Sequence, residues 1–229
     1  MIADNLENVL RRISDAARQA GRPDSPRLVG VTKKRSLPEI SELVDAGLTH
    51  LAENRWEELS SKKTVLDDQG RESLKWHFIG GLQGRSLRRF YAPLYRIDSL
   101  ADLDHARGLS SLAGKSGHLQ DVLVEVNVAK VEGRSGILPE SLDHFLGQLA
   151  PLQNLRVMGM MVMGPVPGLD GGAETRRVFD LGREIWTGAK THWPFLEELS
   201  MGMSEDFEEG IRSGCTEVRI GRLLFEGSH

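Results

Sequence analysis

The sequence predicts an α/β protein, a single (β/α)8 TIM barrel with an extra N-terminal helix. Two observations carry this. Eight short β-like runs are separated, nearly everywhere, by stretches of helical periodicity, which is the pattern of a parallel sheet with helical crossovers. A chain of 229 residues has room for one eight-unit barrel and little else. An open, doubly wound sheet is the alternative that alternation alone leaves.

The first element reads as a helix. Ile2, Leu6, Val9, Leu10, Ile13, Ala17 and Ala20 recur at helical spacing, and Gly21 follows as a stop. RLVGVT (27–32) is the first strand. Ser36 and Glu39 then stand at capping-box spacing with Pro38 in the first turn, so a helix is expected over LPEISELVDAG. THLAEN (49–54) is the second strand, followed by a helix near 55–67. WHFIG (76–80) is the third, with a helix near 82–91. LYRID (94–98) is the fourth, with a helix from Leu100 to about Leu112. DVLVEVNV (121–128) is the fifth, with a helix over PESLDHFLGQL. RVMGMMVMG (156–164) is the sixth, with a helix near 174–189. LEELSMG (196–202) is the seventh, with a helix over EDFEEGIRSG, and EVRIG (217–221) is the eighth. Residues 1–229 are expected to form one domain, with helix 1–21 packed on the barrel. The loops 164–172 and KVEGRSG (130–136) are expected to be the least ordered.

Composition narrows the function. Hydrophobic residues are 39% and charged residues 27%, an ordinary globular balance. A net charge of -4 and a pI near 6.0 point to neither nucleic acid nor an anionic membrane. No apolar run approaches the roughly 20 residues of a membrane helix. MIADNLENVLRR lacks the apolar core of a signal peptide, no N-x-Ser/Thr site occurs, and the single Cys215 cannot pair within the chain. A cytoplasmic location is expected. A closed barrel has no sheet edge to cover, so a monomer is expected.

Chemistry concentrates after strands one, seven and eight. Lys33 sits just past the first strand, at the end where barrels build active sites, and a lysine there could form a Schiff base. On position alone it reads rather as a solvated loop lysine in KKR. SMGMS (200–204) offers Gly202, the Ser204 hydroxyl and a helix start. RIGR (219–222) offers Gly221, where backbone approaches a ligand closely. Barrels often hold a phosphate with these two loops. Arg219 alternates with Val218 and Ile220, so it points inward and needs an acceptor. A pyridine nitrogen would serve, and so would a salt bridge to Glu217 or Glu125. Asn54 ends strand two and either bonds a ring substituent or caps the next helix.

Three other features carry less. GLSSLAGKSG (108–117) resembles a phosphate-binding loop, but five residues rather than four separate Gly108 from Gly114, and it follows a helix. His77 has no metal-ligand spacing around it and reads as a hydrogen-bonded structural histidine. MGMMVM (158–163) reads as strand packing.

The whole chain resembles the YggS/PROSC family of pyridoxal 5'-phosphate (PLP) homeostasis proteins. The matching stretches are VGVTK (29–33), AEN (52–54), WHFIGGLQ (76–83), VNVAKVEGRSG (126–136), GMMVMGP (159–165), LSMGMSEDFEEGIRSG (199–214) and VRIGRLLFEG (218–227). The resemblance implies a barrel like the N-terminal domain of alanine racemase. It implies PLP held as an internal aldimine on Lys33, phosphate near Ser204, Gly221 and Arg222, and the ring nitrogen beside Arg219. The departures are Arg55 where the family often has Tyr, Lys34 and Arg35 after the imine lysine, Arg85-Ser86 for Asn-Lys, and Arg134 for Lys. Arginine forms no imine at accessible pH, so a second PLP-carrying role at those positions is not expected.

Two classes of function follow, a PLP carrier that serves apo-enzymes and a PLP-dependent racemase-like enzyme. Racemisation needs acid–base groups on both faces of the substrate. The only tyrosines, Tyr91 and Tyr95, lie near strand four, away from the expected PLP. An arginine on the ring nitrogen also keeps it unprotonated and weakens the electron sink. The carrier is therefore the expectation. A phosphosugar aldolase using Lys33 is a third reading that dispenses with PLP.

Overall fold

A computed structural model describes residues 1–165 and 172–227. α1 (Ile2–Gln19) buries the stripe Ile2, Leu6, Val9, Ile13 and Ala17, with Leu10 left exposed. Arg12 reaches Glu208 at 2.8 Å and lies 4.7 Å over the Phe207 ring. Asn5 Nδ2 donates to the carbonyls of Leu224 and Glu226 at 3.3 and 3.0 Å, so the first helix is bonded to the last.

Eight parallel strands then close on themselves: β1 (Arg27–Val31), β2 (His50–Glu53), β3 (Lys75–Phe78), β4 (Arg96–Leu100), β5 (Gln120–Val126), β6 (Leu155–Val162), β7 (Glu198–Met201) and β8 (Glu217–Ile220). β1 pairs with β2 on one side and with β8 on the other, and this closure excludes the open sheet. The crossovers carry α2 (Leu37–Asp45), α3 (Trp56–Asp68), α4 (Gly84–Phe90), α5 (Leu103–Lys115), α6 (Leu142–Leu149), α7 (Ala173–Ala189) and α8 (Phe207–Arg212). The Ser36–Glu39 capping box opens α2 as expected.

The main core lies between strands and helices, as where Trp56 stacks on Phe78 with ring centroids 4.1 Å apart. Val29, Val31 and Ala52, with Ile79, form a small separate apolar cluster inside the barrel. Gly30 lets the chain around α2 close on the barrel, because a Cβ there would stand 2.5 Å from Leu48 Cδ2.

Several boundaries differ from expectation. β4 begins at Arg96 rather than Leu94, because the Gln120 amide takes both the N–H and the carbonyl of Leu94 out of the ladder. α5 begins at Leu103, where Asp102 accepts from His105 N at 2.8 Å. The helix expected over 139–149 starts as a 3-10 turn, Pro139–Ser141, before α6. A short α9 (Arg222–Phe225) follows β8, which the sequence did not disclose. Loop 130–136, expected to be poorly ordered, is tied down. The Asn127 side chain makes two hydrogen bonds to the Val131 backbone, and Arg134 donates to Gly164 O at 2.5 Å. Most of loop 164–172 lies outside the described residues. No helix among the described residues is long and apolar enough to cross a membrane.

Candidate functional site

A cavity of about 500 Å³ opens at the C-terminal ends of β1, β2, β3, β6, β7 and β8. Lys33, Asn54, Ser204, Arg219, Gly221 and Arg222 all line it. Six residues scattered over 190 positions meet because a parallel barrel delivers every strand end to one rim.

Lys33 follows a clamped peptide. Thr32 N continues the ladder to Ala52 O at 2.9 Å, and its hydroxyl donates to Glu53 at 2.7 Å. Lys62 Nζ donates to Thr32 O at 3.0 Å and to Glu53 at 2.6 Å. Lys34 then takes φ of 62°, a left-handed turn that costs a non-glycine residue about 1 kcal/mol. The lysine is thus presented from a fixed backbone, with its side chain exposed to the cavity.

The turn after β7 is built on Gly202, whose φ is 97° and where a Cβ would meet Phe207 Cα at 2.8 Å. Its carbonyl accepts from Arg219 N at 3.0 Å. Met203 N donates to Asp206 Oδ1 at 2.6 Å, which holds the turn bearing Ser204. Arg222 pairs with Glu205 at 2.9 Å and so ties the β8 loop to the β7 turn. Gly80 allows the β3 end to approach, since a Cβ there would stand 2.0 Å from Asn54 O. Asn54 itself does not cap α3, whose first cap position is Arg55, with no side-chain bond.

Arg219 is 3% exposed. NH1 donates to Ser200 Oγ at 2.7 Å, and NH2 donates to Val162 O at 3.2 Å and meets Met163 Sδ at 3.4 Å. Among the described residues no carboxylate contacts it, so the salt bridge to Glu217 or Glu125 considered from sequence does not form. Burial pulls its guanidinium below the ordinary value, and the charges of Asp98, Glu217, Asp206 and Glu125 only partly offset this. A buried donor-only group that lines a cavity with no carboxylate in contact is suited to an acceptor there.

The sequence reading missed Asp206 and misjudged the methionines. Met160 packs in the outer core, but Met161 and Met163 line the cavity. Burial pushes the Asp206 carboxyl up, against the pull of Met203 N–H and Arg219. Its place three residues after Met203, at the start of α8, was the available signal. Tyr91 contacts Gln120, and Tyr95 packs on His50 and His77 at the N-terminal end of the barrel; neither lines the cavity. The GLSSLAGKSG run lies in and just past α5, so it is not a phosphate loop. His77 is buried and bonded to Asp98, the structural role expected of it.

Arg55 and Lys34 line a second, adjoining cavity of about 420 Å³ with Arg35. Arg35 lies over the Phe225 ring at 4.7 Å and pairs with Glu39. Arg85 is exposed on α4.

The geometry defines a class, a barrel that aims one lysine, one buried arginine and a glycine-based turn at a single cavity. The family model described as alanine racemase, N-terminal domain, matches residues 4–229. The chain is 36% identical to the pyridoxal phosphate homeostasis protein of Aquifex aeolicus, over 97% of this chain and 96% of that one. It is 33% identical to the protein of the same name from Escherichia coli K12, over 98% and 95%. The chain belongs to the alanine racemase N-terminal domain family, within its branch of pyridoxal phosphate homeostasis proteins. PipY of Synechococcus elongatus, solved with PLP bound, superposes with a TM-score of 0.80 at 30% identity, covering 98% of this chain and all of that one. An alanine racemase from Clostridium difficile shares the fold alone, with a TM-score of 0.69 and 15% identity over 94% of this chain and 56% of its own.

Proposed function

We propose that this protein binds pyridoxal 5'-phosphate through Lys33 and acts as a cytoplasmic, monomeric carrier that holds the cofactor for apo-enzymes. The observation that carries the reading is Arg219, a buried guanidinium that lines the cavity without a carboxylate partner in contact. An unprotonated pyridine nitrogen is an acceptor of the required kind, and a guanidinium donating to it keeps it unprotonated. When bound, the cofactor supplies an aldehyde that condenses with an amine, releasing water, and a ring that then absorbs visible light.

The other residues fit the rest of the molecule. Lys33 supplies the amine. Ser204, with backbone N–H groups of its turn and of Gly221 and Arg222, takes the phosphate. Asn54 bonds a ring substituent. The names of the relatives and the PLP-bound PipY structure support the same cofactor. The buried, unpaired Cys215 accords with a reducing compartment.

Asp206 favours a second reading, a racemase-like enzyme, because its raised carboxyl lines the same cavity. Absorbance and isotope exchange separate the readings. The purified protein loaded with PLP is expected to show a visible band that borohydride bleaches. Lys33→Ala should abolish it, and Lys34→Ala should retain it. No band in the loaded wild type sinks the PLP reading. Exchange of an amino acid's Cα hydrogen for deuterium at ordinary enzymatic rates would replace the carrier with the enzyme.

A further inference from the structure

Below the cavity, a continuous line of hydrogen bonds runs along the barrel axis to the opposite face. It starts at half-buried His50, whose Nδ1 lies 3.0 Å from His77 Nε2. His77 Nδ1 is 3.2 Å from Asp98 Oδ2. Arg96 donates to Asp98 Oδ1 and to Glu217 Oε1, both at 2.6 Å. Ser200 Oγ donates to Glu217 Oε1 at 2.8 Å and accepts from Arg219 NH1 at 2.7 Å. His77, Arg96, Asp98, Ser200 and Glu217 are all at most 1% exposed.

The donors in this line have fixed directions. Asp98 only accepts, so His77 Nδ1 carries a proton. The Ser200 hydroxyl has one proton, which goes to Glu217, leaving its lone pair for Arg219. His77, Asp98 and Glu217 present ligand atoms within 4.8 Å of one another, as a metal site would. However, Arg96 already lies between the two carboxylates and supplies the counter-charge. Arg96 and Arg219 therefore balance Asp98 and Glu217, and the charge of Arg219 is balanced across a single hydroxyl. Two further acids, Asp206 from the turn after β7 and Glu125 from β5, also act on Arg219 electrostatically.

We infer that Ser200 and Glu217 are positioning residues for Arg219, which keep its guanidinium at the cavity wall rather than in a direct ion pair with a carboxylate. The role rests on the cofactor reading above for its effect on PLP. Its effect on the guanidinium stands without the cofactor. With Ser200 removed, nothing separates Arg219 from Glu217, and a direct ion pair would draw the guanidinium down and away from the cavity.

Ser200→Ala tests this in two states of the protein. In PLP-loaded protein, the expected result is about tenfold weaker PLP binding, the value of one charged hydrogen bond. The visible band should also shift its maximum and the midpoint of its pH titration. Ser200→Thr should restore both, since it returns the hydroxyl. In cofactor-free protein, the Arg219 side-chain NMR resonances should be slowly exchanging and resolved in the wild type and in Ser200→Thr, and averaged or shifted in Ser200→Ala. Unchanged Arg219 resonances in Ser200→Ala overturn the positioning role, whatever happens with PLP. An Ala variant with the wild-type affinity and pH midpoint also overturns it, as does a Thr variant that behaves like Ala. If the wild type gives no PLP band, the cofactor reading fails, and the cofactor-free spectra still decide the role of Ser200.

Discussion

In the N-terminal half of the barrel interior, Arg96 sits between Asp98 and Glu217, and Arg27 reaches Glu198 and Glu217 at 2.9 and 3.2 Å. In the C-terminal half, Arg219, Ser204 and Asn54 face a cavity of about 500 Å³. Both halves are polar, where barrels of this fold ordinarily hold layers of branched apolar side chains. The lower half ties its arginines and carboxylates into direct ion pairs, so it has little to offer a ligand and much to lose if cut. The upper half leaves donors without acidic partners, so it contributes little to folding and is open to an anionic or acceptor-bearing guest. Polarity inside a barrel therefore marks a site only where it is unbalanced.

The largest expected effect is in the lower half. Arg96→Ala removes the cation shared by two buried carboxylates and should cost about 3–5 kcal/mol of stability in urea unfolding. A loss below about 1 kcal/mol would place this network with exposed ion pairs and erase the contrast. In the upper half, Ser204→Ala and Asn54→Ala should leave unfolding within about 0.5 kcal/mol of wild type, while equilibrium titration shows PLP affinity falling roughly tenfold.

The two halves also answer pH with opposite signs. Burial pushes Asp98 and Glu217 up, but Arg96 and His77 outweigh it and hold both below the carboxylate range. Their stabilisation is present above the unfolded values of 3.8 and 4.5 and is lost as pH falls through the lower folded values. Asp206 is raised, so its contribution is favourable below 3.8 and is lost as pH rises through its folded value. Asp206→Asn should accordingly be more stable than wild type at pH 8, with the gain disappearing in acid, as followed by thermal melts. The smallest effect concerns His50, which burial and His77 lower to about 4. Stability should decline as pH falls from 6.5 toward 4, and His50→Gln should flatten that window.

The upper half was largely legible in the sequence, because its residues follow strands whose ends a barrel must gather. Lys33, Ser204 and Gly221 needed only the strand order to be placed together. The lower half was not read. Its signal was present, since Arg96 and Asp98, like Glu217 and Arg219, stand two apart within strands and therefore share a face. What the sequence could not disclose was the pairing, because Arg96 meets Glu217 across 121 positions and only the closure of β8 on β1 brings them together. The start of β4 was misread for a similar reason. The Gln120 side chain that diverts Leu94 comes from the next strand, and no local pattern reports it.

The bonds from Asn5 to the carbonyls of Leu224 and Glu226 have a consequence for biosynthesis. The first helix is made before β8 and packs on α2 as well as on α8 and α9, yet its polar anchor awaits carbonyls 219 and 221 positions later. Until β8 arrives, β1 is an open edge and Arg96 lacks its Glu217 partner. Until then the chain holds exposed apolar surface and an incomplete interior ion-pair network. Closure of β8 on β1 resolves both at once, so this protein should depend on chaperone shielding before that closure far more than its finished barrel suggests.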